Sequence, residues 1–193
     1  MVDLSAKVKA VGAVVLGLSF LSFLSVSGPY TEDPVTLVGA GDIADCASPG
    51  DEATAKLLDG IPGMVFTAGD DAYESGLRGE FDSCYGPSWS RHKDRTRPTP
   101  GNHEYKGRSS AGAYFDYFGE KAGEPGEGWY SYDVGAWHVV ALNSNCENVG
   151  GCGEGSAQLE WLREDLRSSD AGCTLAHWHH PLFLPGSAAG VAR

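Results

Sequence analysis

Four short strand-like runs in this chain each give way, within a residue or two, to side chains that bind metals well. Pro34-Val-Thr-Leu-Val-Gly-Ala-Gly41 runs into Asp42, and Gly63-Met-Val-Phe-Thr-Ala68 runs into Gly69-Asp70-Asp71-Ala72-Tyr73. Arg97-Pro-Thr-Pro100 leads into Gly101-Asn102-His103-Glu104, and Cys173-Thr-Leu-Ala-His-Trp178 into His179-His180-Pro181. Short β-branched runs closed by glycine read as buried strands. In open α/β sheets, ligands bind beyond the carboxyl ends of the strands. Asp, Asn and His residues far apart in sequence are therefore expected to converge there. Glycine ahead of the first three groups lets the backbone turn sharply and approach an ion. Hard oxygen donors with imidazole suit Fe, Mn or Zn.

Other elements fill in around these runs. Glycine makes up 27 of 193 residues, about twice the usual ~7%, and has no collagen-like period. The chain should be loop-rich, with function on the loops. The pattern predicts a helix over 51–58 with Asp51 as its cap, and a short aromatic helix over 110–118. Residues 129–134 and 137–142 read as an antiparallel pair turning at Gly135-Ala136. A helix over 158–166 places Leu159, Leu162 and Leu166 on one face. Sequence 74–97 reads as polar and turn-rich. One mixed α/β domain over 34–193 accounts for everything after a leader at 1–28.

The formal charge is −12. Residues 1–27 hold Lys7, Lys9 and Asp3, a local net of +1, which leaves −13 on residues 28–193. Such a surface repels nucleic acid polymers and anionic lipid. An acidic protein that handles phosphate needs a local positive centre, which metal ions supply. Lys7 and Lys9 precede an apolar run from Ala10 to Leu24 and the small polar stretch Ser25-Val-Ser-Gly28. That is the layout of a signal peptide. The run falls just short of the ~18–20 residues that span a bilayer, and the alternative is an uncleaved membrane anchor through residues 10–26. Either way the domain is expected outside the cell, secreted or at its surface. Five cysteines fit an oxidising compartment. Cys146 and Cys152 flank a short glycine-rich loop that a disulfide can close. Cys46 with Cys84 is a further pairing, although connectivity cannot be read from spacing. Cys173 is left as a buried thiol.

The order and spacing of Asp42, Gly69-Asp70-x-x-Tyr73, Gly101-Asn102-His103-Glu104 and His179-x-Pro181 resemble calcineurin-like metallophosphoesterases of the purple acid phosphatase type. Gln158 with Trp161-Leu162 is similar as well, and the resemblance covers roughly residues 35–185. Asp42-Ile-Ala, where related enzymes often have Asp-x-His, matches the purple acid phosphatase branch. The resemblance implies an α/β fold, a β-sandwich flanked by helices, that hydrolyses phosphate esters at two metal ions, Fe paired with Fe, Zn or Mn. Asp70 would bridge the ions, Asp42 and Tyr73 would complete one side, and Asn102 and His179 would bind the second ion. His103 would bind no metal and would assist the leaving group. The substrate would be a small phosphorylated molecule. The family also supplies a final Gly-His-x-His segment, one histidine to each ion, and further strands. These 193 residues contain no such segment. The chain is thus expected to be a C-terminally truncated member lacking its last strands. The alternative to an enzyme is a non-catalytic exported or anchored remnant.

Neighbouring residues carry plainer expectations. Asp71 reads as a solvated neighbour of Asp70, Glu104 as a capping or orienting residue, and His138 as filler. His177 reads as structural, and His180 as ambiguous, with contact to substrate the lesser of its readings. A mononuclear zinc site on His177, His179 and His180 is disfavoured, because side chains alternate along a strand.

Overall fold

The computed structural model describes residues 34–107 and 110–182, so the leader expected at 1–28 lies outside the described residues. Strands β1 (Leu37–Ala40), β2 (Met64–Thr67) and β3 (Thr96–Arg97) are parallel and lie in the order β1-β2-β3. Leu37 pairs with Met64 and Ala40 with Thr67, so β1 and β2 end level. Level ends leave the two following loops side by side, and their main chains continue the ladder. Asp42 N–H donates to Gly69 O (3.0 Å), Ile43 N–H to Asp70 O (2.9 Å), and Tyr73 N–H to Ala44 O (2.8 Å).

The second sheet has the order β4-β5-β6. β4 (Tyr130–Val134) and β5 (Trp137–Ala141) form the predicted antiparallel hairpin, with Gly135 at φ +59° in its turn. β6 (Cys173–His177) runs parallel to β5. Parallel neighbours need a crossover, which helix Ala157–Ser168 provides. The sheets adjoin where the rings of Phe66 and His177 lie 5.0 Å apart and where Tyr130 donates to Pro98 O (2.7 Å). The result is a mixed α/β unit with two small sheets and no closed barrel among the described residues.

Several expectations need correcting. Helix Gly50–Asp59 has no side-chain cap; Asp51 sits in its first turn, where a negative charge favours the helix dipole. Helix Ala157–Ser168 is capped instead by Ser156, whose Oγ accepts the Leu159 N–H (3.3 Å). Leu166 remains 44% exposed, and the buried residue of that helix is Gln158. Gln158 is fixed by bonds from Asn143 N–H (2.7 Å) and to Asn143 O (2.9 Å).

Residues 78–95, expected to be turn-rich, form a helical run that mixes α, π and 3-10 turns. Phe81, Tyr85 and Trp89, four residues apart, bury one face of it against Tyr114, Tyr117 and Phe118. The aromatic contacts include a stacked Phe81–Tyr117 pair at 4.8 Å. Trp89 Nε1–H reaches Thr54 Oγ1 (3.0 Å), and the Arg95 guanidinium donates to Leu58 O (2.7 Å) and Ile61 O (2.8 Å), joining the run to helix Gly50–Asp59.

Disulfides Cys46–Cys84 and Cys146–Cys152 are both present and are compatible with an extracellular protein. Cys173 was expected to be buried. It is exposed, at the start of β6, whose far end at His177 is buried. No helix among the described residues is long and apolar enough to cross a membrane.

His138, expected as filler, clasps helix Ala157–Ser168 to the hairpin. Its Nε2 bonds Asp165 (2.7 Å) and its Nδ1 bonds Asp133 (2.9 Å), while Asp165 also accepts from Ser131 Oγ (2.6 Å). Asp165 first, then Asp133, raises the His138 pKa. A raised folded-state pKa gives stability that is complete below the unfolded value of about 6.5 and is lost as pH climbs through the folded value. Exposed Asp133 is screened, so Asp165 should carry most of the effect. His138→Gln should therefore cost about 1–2 kcal/mol in urea unfolding at mildly acidic pH, and less at alkaline pH. An identical cost at both would refute the ionic clasp.

Candidate metal centre

The two zipped loops place their acidic residues in unusual backbone conformations. Asp42 has φ +54° and Asp70 φ +55°, the left-handed region that Asp tolerates better than most residues. Such conformations cluster at functional sites. Tyr73 Oη hydrogen-bonds Asp42 Oδ1 and stands 3.1 Å from Asp70 Oδ2. Burial first, then the bond to Asp42 and the negative charge of Asp70, raises the Tyr73 pKa well above that of an ordinary phenol. A tyrosinate here would need a positive charge beside it.

The other oxygen of Asp70 faces a different group. Asp70 Oδ1 accepts the His103 N–H (2.9 Å) and lies 3.5 Å from His179 Nε2. His179 Nδ1 bonds Ala68 O (2.8 Å), and a carbonyl can only accept. A proton therefore sits on Nδ1, and His179 turns Nε2 toward Asn102 Oδ1, 3.0 Å away. A backbone carbonyl that fixes the far nitrogen is the usual support of a metal-ligating imidazole. Three atoms able to ligate an ion, Asp70 Oδ1, Asn102 Oδ1 and His179 Nε2, thus face one another. The donor chemistry fits metal ions: two carboxylates, a phenol, a carboxamide and an imidazole, with Asp70 presenting one oxygen to each side. Counting only His, Cys, Asp and Glu, no group of three among the described residues is placed to hold a metal ion. The clustered donors reach five by including Tyr73 and Asn102.

Glycines make this closeness feasible. At Gly69 (φ +82°) a Cβ would stand 2.6 Å from Gly101 Cα and 2.8 Å from His179 Cβ. A cleft of about 490 Å³, bordered by Asp42, Asp45, Tyr73, Glu74 and Trp89, lies beside the cluster.

His103 edges onto the Tyr73 ring, with centroids 4.5 Å apart. Its Nδ1–H donates to Glu74 O (2.7 Å), which leaves Nε2 facing Asp70 Oδ2 at 3.7 Å and Lys106 Nζ at 2.6 Å. Lys106 also bonds Glu74 Oε1 (3.1 Å). Sequence reading missed Lys106 and Glu74. Lys106 could have been found, because it lies three residues after His103, on the same face of helix His103–Lys106.

Asp71 needs a correction. It is fully buried, and neither carboxylate oxygen has a hydrogen-bond partner. The reversal at Asp70 turns the next residue inward. Burial first, then the charge of Glu104, drives its pKa well up. Glu104 is also buried, at 1% exposure. The three histidines of the last run part company. His177 bonds Thr99 Oγ1 (2.8 Å) in the core and is held neutral by burial, its pKa pushed down to about 4. His180 bonds Ser144 Oγ (2.8 Å), and only His179 joins the cluster.

No protein-family model matches the chain, and no curated protein matches it.

Proposed function

We propose that this chain carries the metal centre of a phosphoesterase resembling the purple acid phosphatases, within an exported protein. The observation that carries the reading is Asp70, whose two oxygens face two separate donor groups, Tyr73 with Asp42 and His179 with Asn102. One ion would be held by Asp42, Tyr73 and Asp70 Oδ2, and a second by Asn102, His179 and Asp70 Oδ1. Bound metal would supply Lewis acidity toward the phosphate ester and its attacking water. Tyr73 favours ferric iron at the first position, with Fe, Zn or Mn at the second. His103 holds its Nδ1 proton on Glu74 O, so its Nε2 is the atom that exchanges a proton with the leaving oxygen. The two adjoining sheets support the two-layer metallophosphoesterase sandwich, and the disulfides support export.

Adding ferric ion together with zinc or manganese to the 193-residue chain should give a visible phenolate-to-iron absorption band. Hydrolysis of p-nitrophenyl phosphate should accompany it. Tyr73→Phe should remove the band while the far-ultraviolet spectrum stays unchanged. A chain that retains no ion after gel filtration and turns over no substrate would overturn the reading in favour of a non-catalytic remnant.

A further inference from the structure

Among the described residues, Glu104 is the one side chain that bonds the main chains of both the Asp70 loop and the Asn102 loop. Its Oε2 accepts N–H groups from Asp70 (3.0 Å) and Gly101 (2.7 Å), and its Oε1 accepts from Asp71 (2.9 Å) and Ala72 (3.4 Å). Three of these donors belong to the loop after β2, and the fourth precedes Asn102. All four are N–H groups, so both oxygens act purely as acceptors, the arrangement of a carboxylate in a nest of amides. The carboxyl is almost completely shielded from water. A buried acceptor that loses its donors, or four donors that lose their acceptor, incur the full desolvation penalty. Losing any of these bonds is therefore costly. The tie spans the gap across which Asp70 Oδ1, Asn102 Oδ1 and His179 Nε2 face one another.

We propose that Glu104 is a positioning residue for the metal centre: it locks the Asp70 loop to the Asn102 loop and so sets the separation of their donor atoms. This inference rests on the metal-centre reading above. A metal site is sensitive to such support, since loss of an outer partner typically weakens metal binding by about 10–100-fold. Sequence reading offered Glu104 as a capping or orienting residue, and the four backbone donors show which loops it joins.

Glu104→Gln keeps the shape but turns one oxygen into a donor, which must then face an N–H. In the metal-free protein, the amides on that side of the carboxyl, Asp70 with Gly101 or Asp71 with Ala72, should lose hydrogen-exchange protection. Val38 and Val65 in β1 and β2 should keep theirs. Ferric affinity, read from the absorption band, should fall about tenfold or more. Glu104→Ala should extend the loss of protection to all four amides. Unchanged protection with affinity within about twofold of the parent would overturn the proposal. So would an equal loss of protection at Val38 and Val65, since Glu104 would then serve the whole fold. If the parent takes up no iron, the functional reading fails, and the exchange experiment alone decides whether Glu104 joins the loops.

Discussion

Gly101→Ala is expected to lower stability by about 3 kcal/mol, the upper end of ordinary overpacking costs, and to disable metal binding as well. A Cβ at Gly101 would stand 2.9 Å from Asp70 Cγ and closer still to Asp70 Oδ1 and N. Neither neighbour can swing aside. The nitrogen is main chain bonded to Glu104, and the carboxyl is held by the His103 N–H (2.9 Å). Relief would come only by parting the two loops, which would break the Gly101–Glu104 bond (2.7 Å). For a domain of this size the midpoint of thermal unfolding should fall by about 6–12 °C. Gly79→Ala is the control. Nothing lies within 4 Å of a Cβ there, and the residue sits in helix Arg78–Glu80, where alanine is favoured over glycine. A Gly101→Ala protein that melts with the parent would show that the approach of these loops is looser than described.

Asp70→Asn should abolish metal-dependent turnover while leaving the fold in place. The substitution keeps shape, and its carbonyl can still accept the His103 N–H. It removes the charge and one of the two oxygens that face separate donor groups. A carboxamide has one good donor oxygen and cannot serve both sides equally. The loss of metal affinity should exceed the about 10–100-fold typical of an outer partner. Metal content after dialysis and hydrolysis of p-nitrophenyl phosphate are the readouts, with thermal melting of the metal-free proteins as the check on folding. Turnover equal to that of the parent would end the metal-centre reading.

Where side-chain period governs, the sequence was legible. The runs leading to Asp42 and Asp70, the hairpin turning at Gly135 and the helix after Ser156 all stand where pattern places them. Asp42, Asp70, Tyr73, Asn102 and His179 come together because β1 and β2 end level and because β6 delivers its histidines toward the first sheet. Irregular backbone was not legible. Phe81, Tyr85 and Trp89 recur every four residues, but Gly79, Gly86 and Pro87 around them disguised the helical run. Asp71 was misplaced because its direction depends on the left-handed turn at Asp70, which no side-chain period records.

The ladder that zips residues 40–44 to 68–73 is made wholly of main-chain atoms. The frame that presents Asp42 and Asp70 therefore does not depend on what those side chains are, provided each can occupy a left-handed backbone position. Asn meets that condition, so the sockets are interchangeable in a way that the contents are not. The spacing of the α-carbons is set by the ladder, whichever of the two residues stands there. A fold of this kind separates the inheritance of geometry from the inheritance of chemistry.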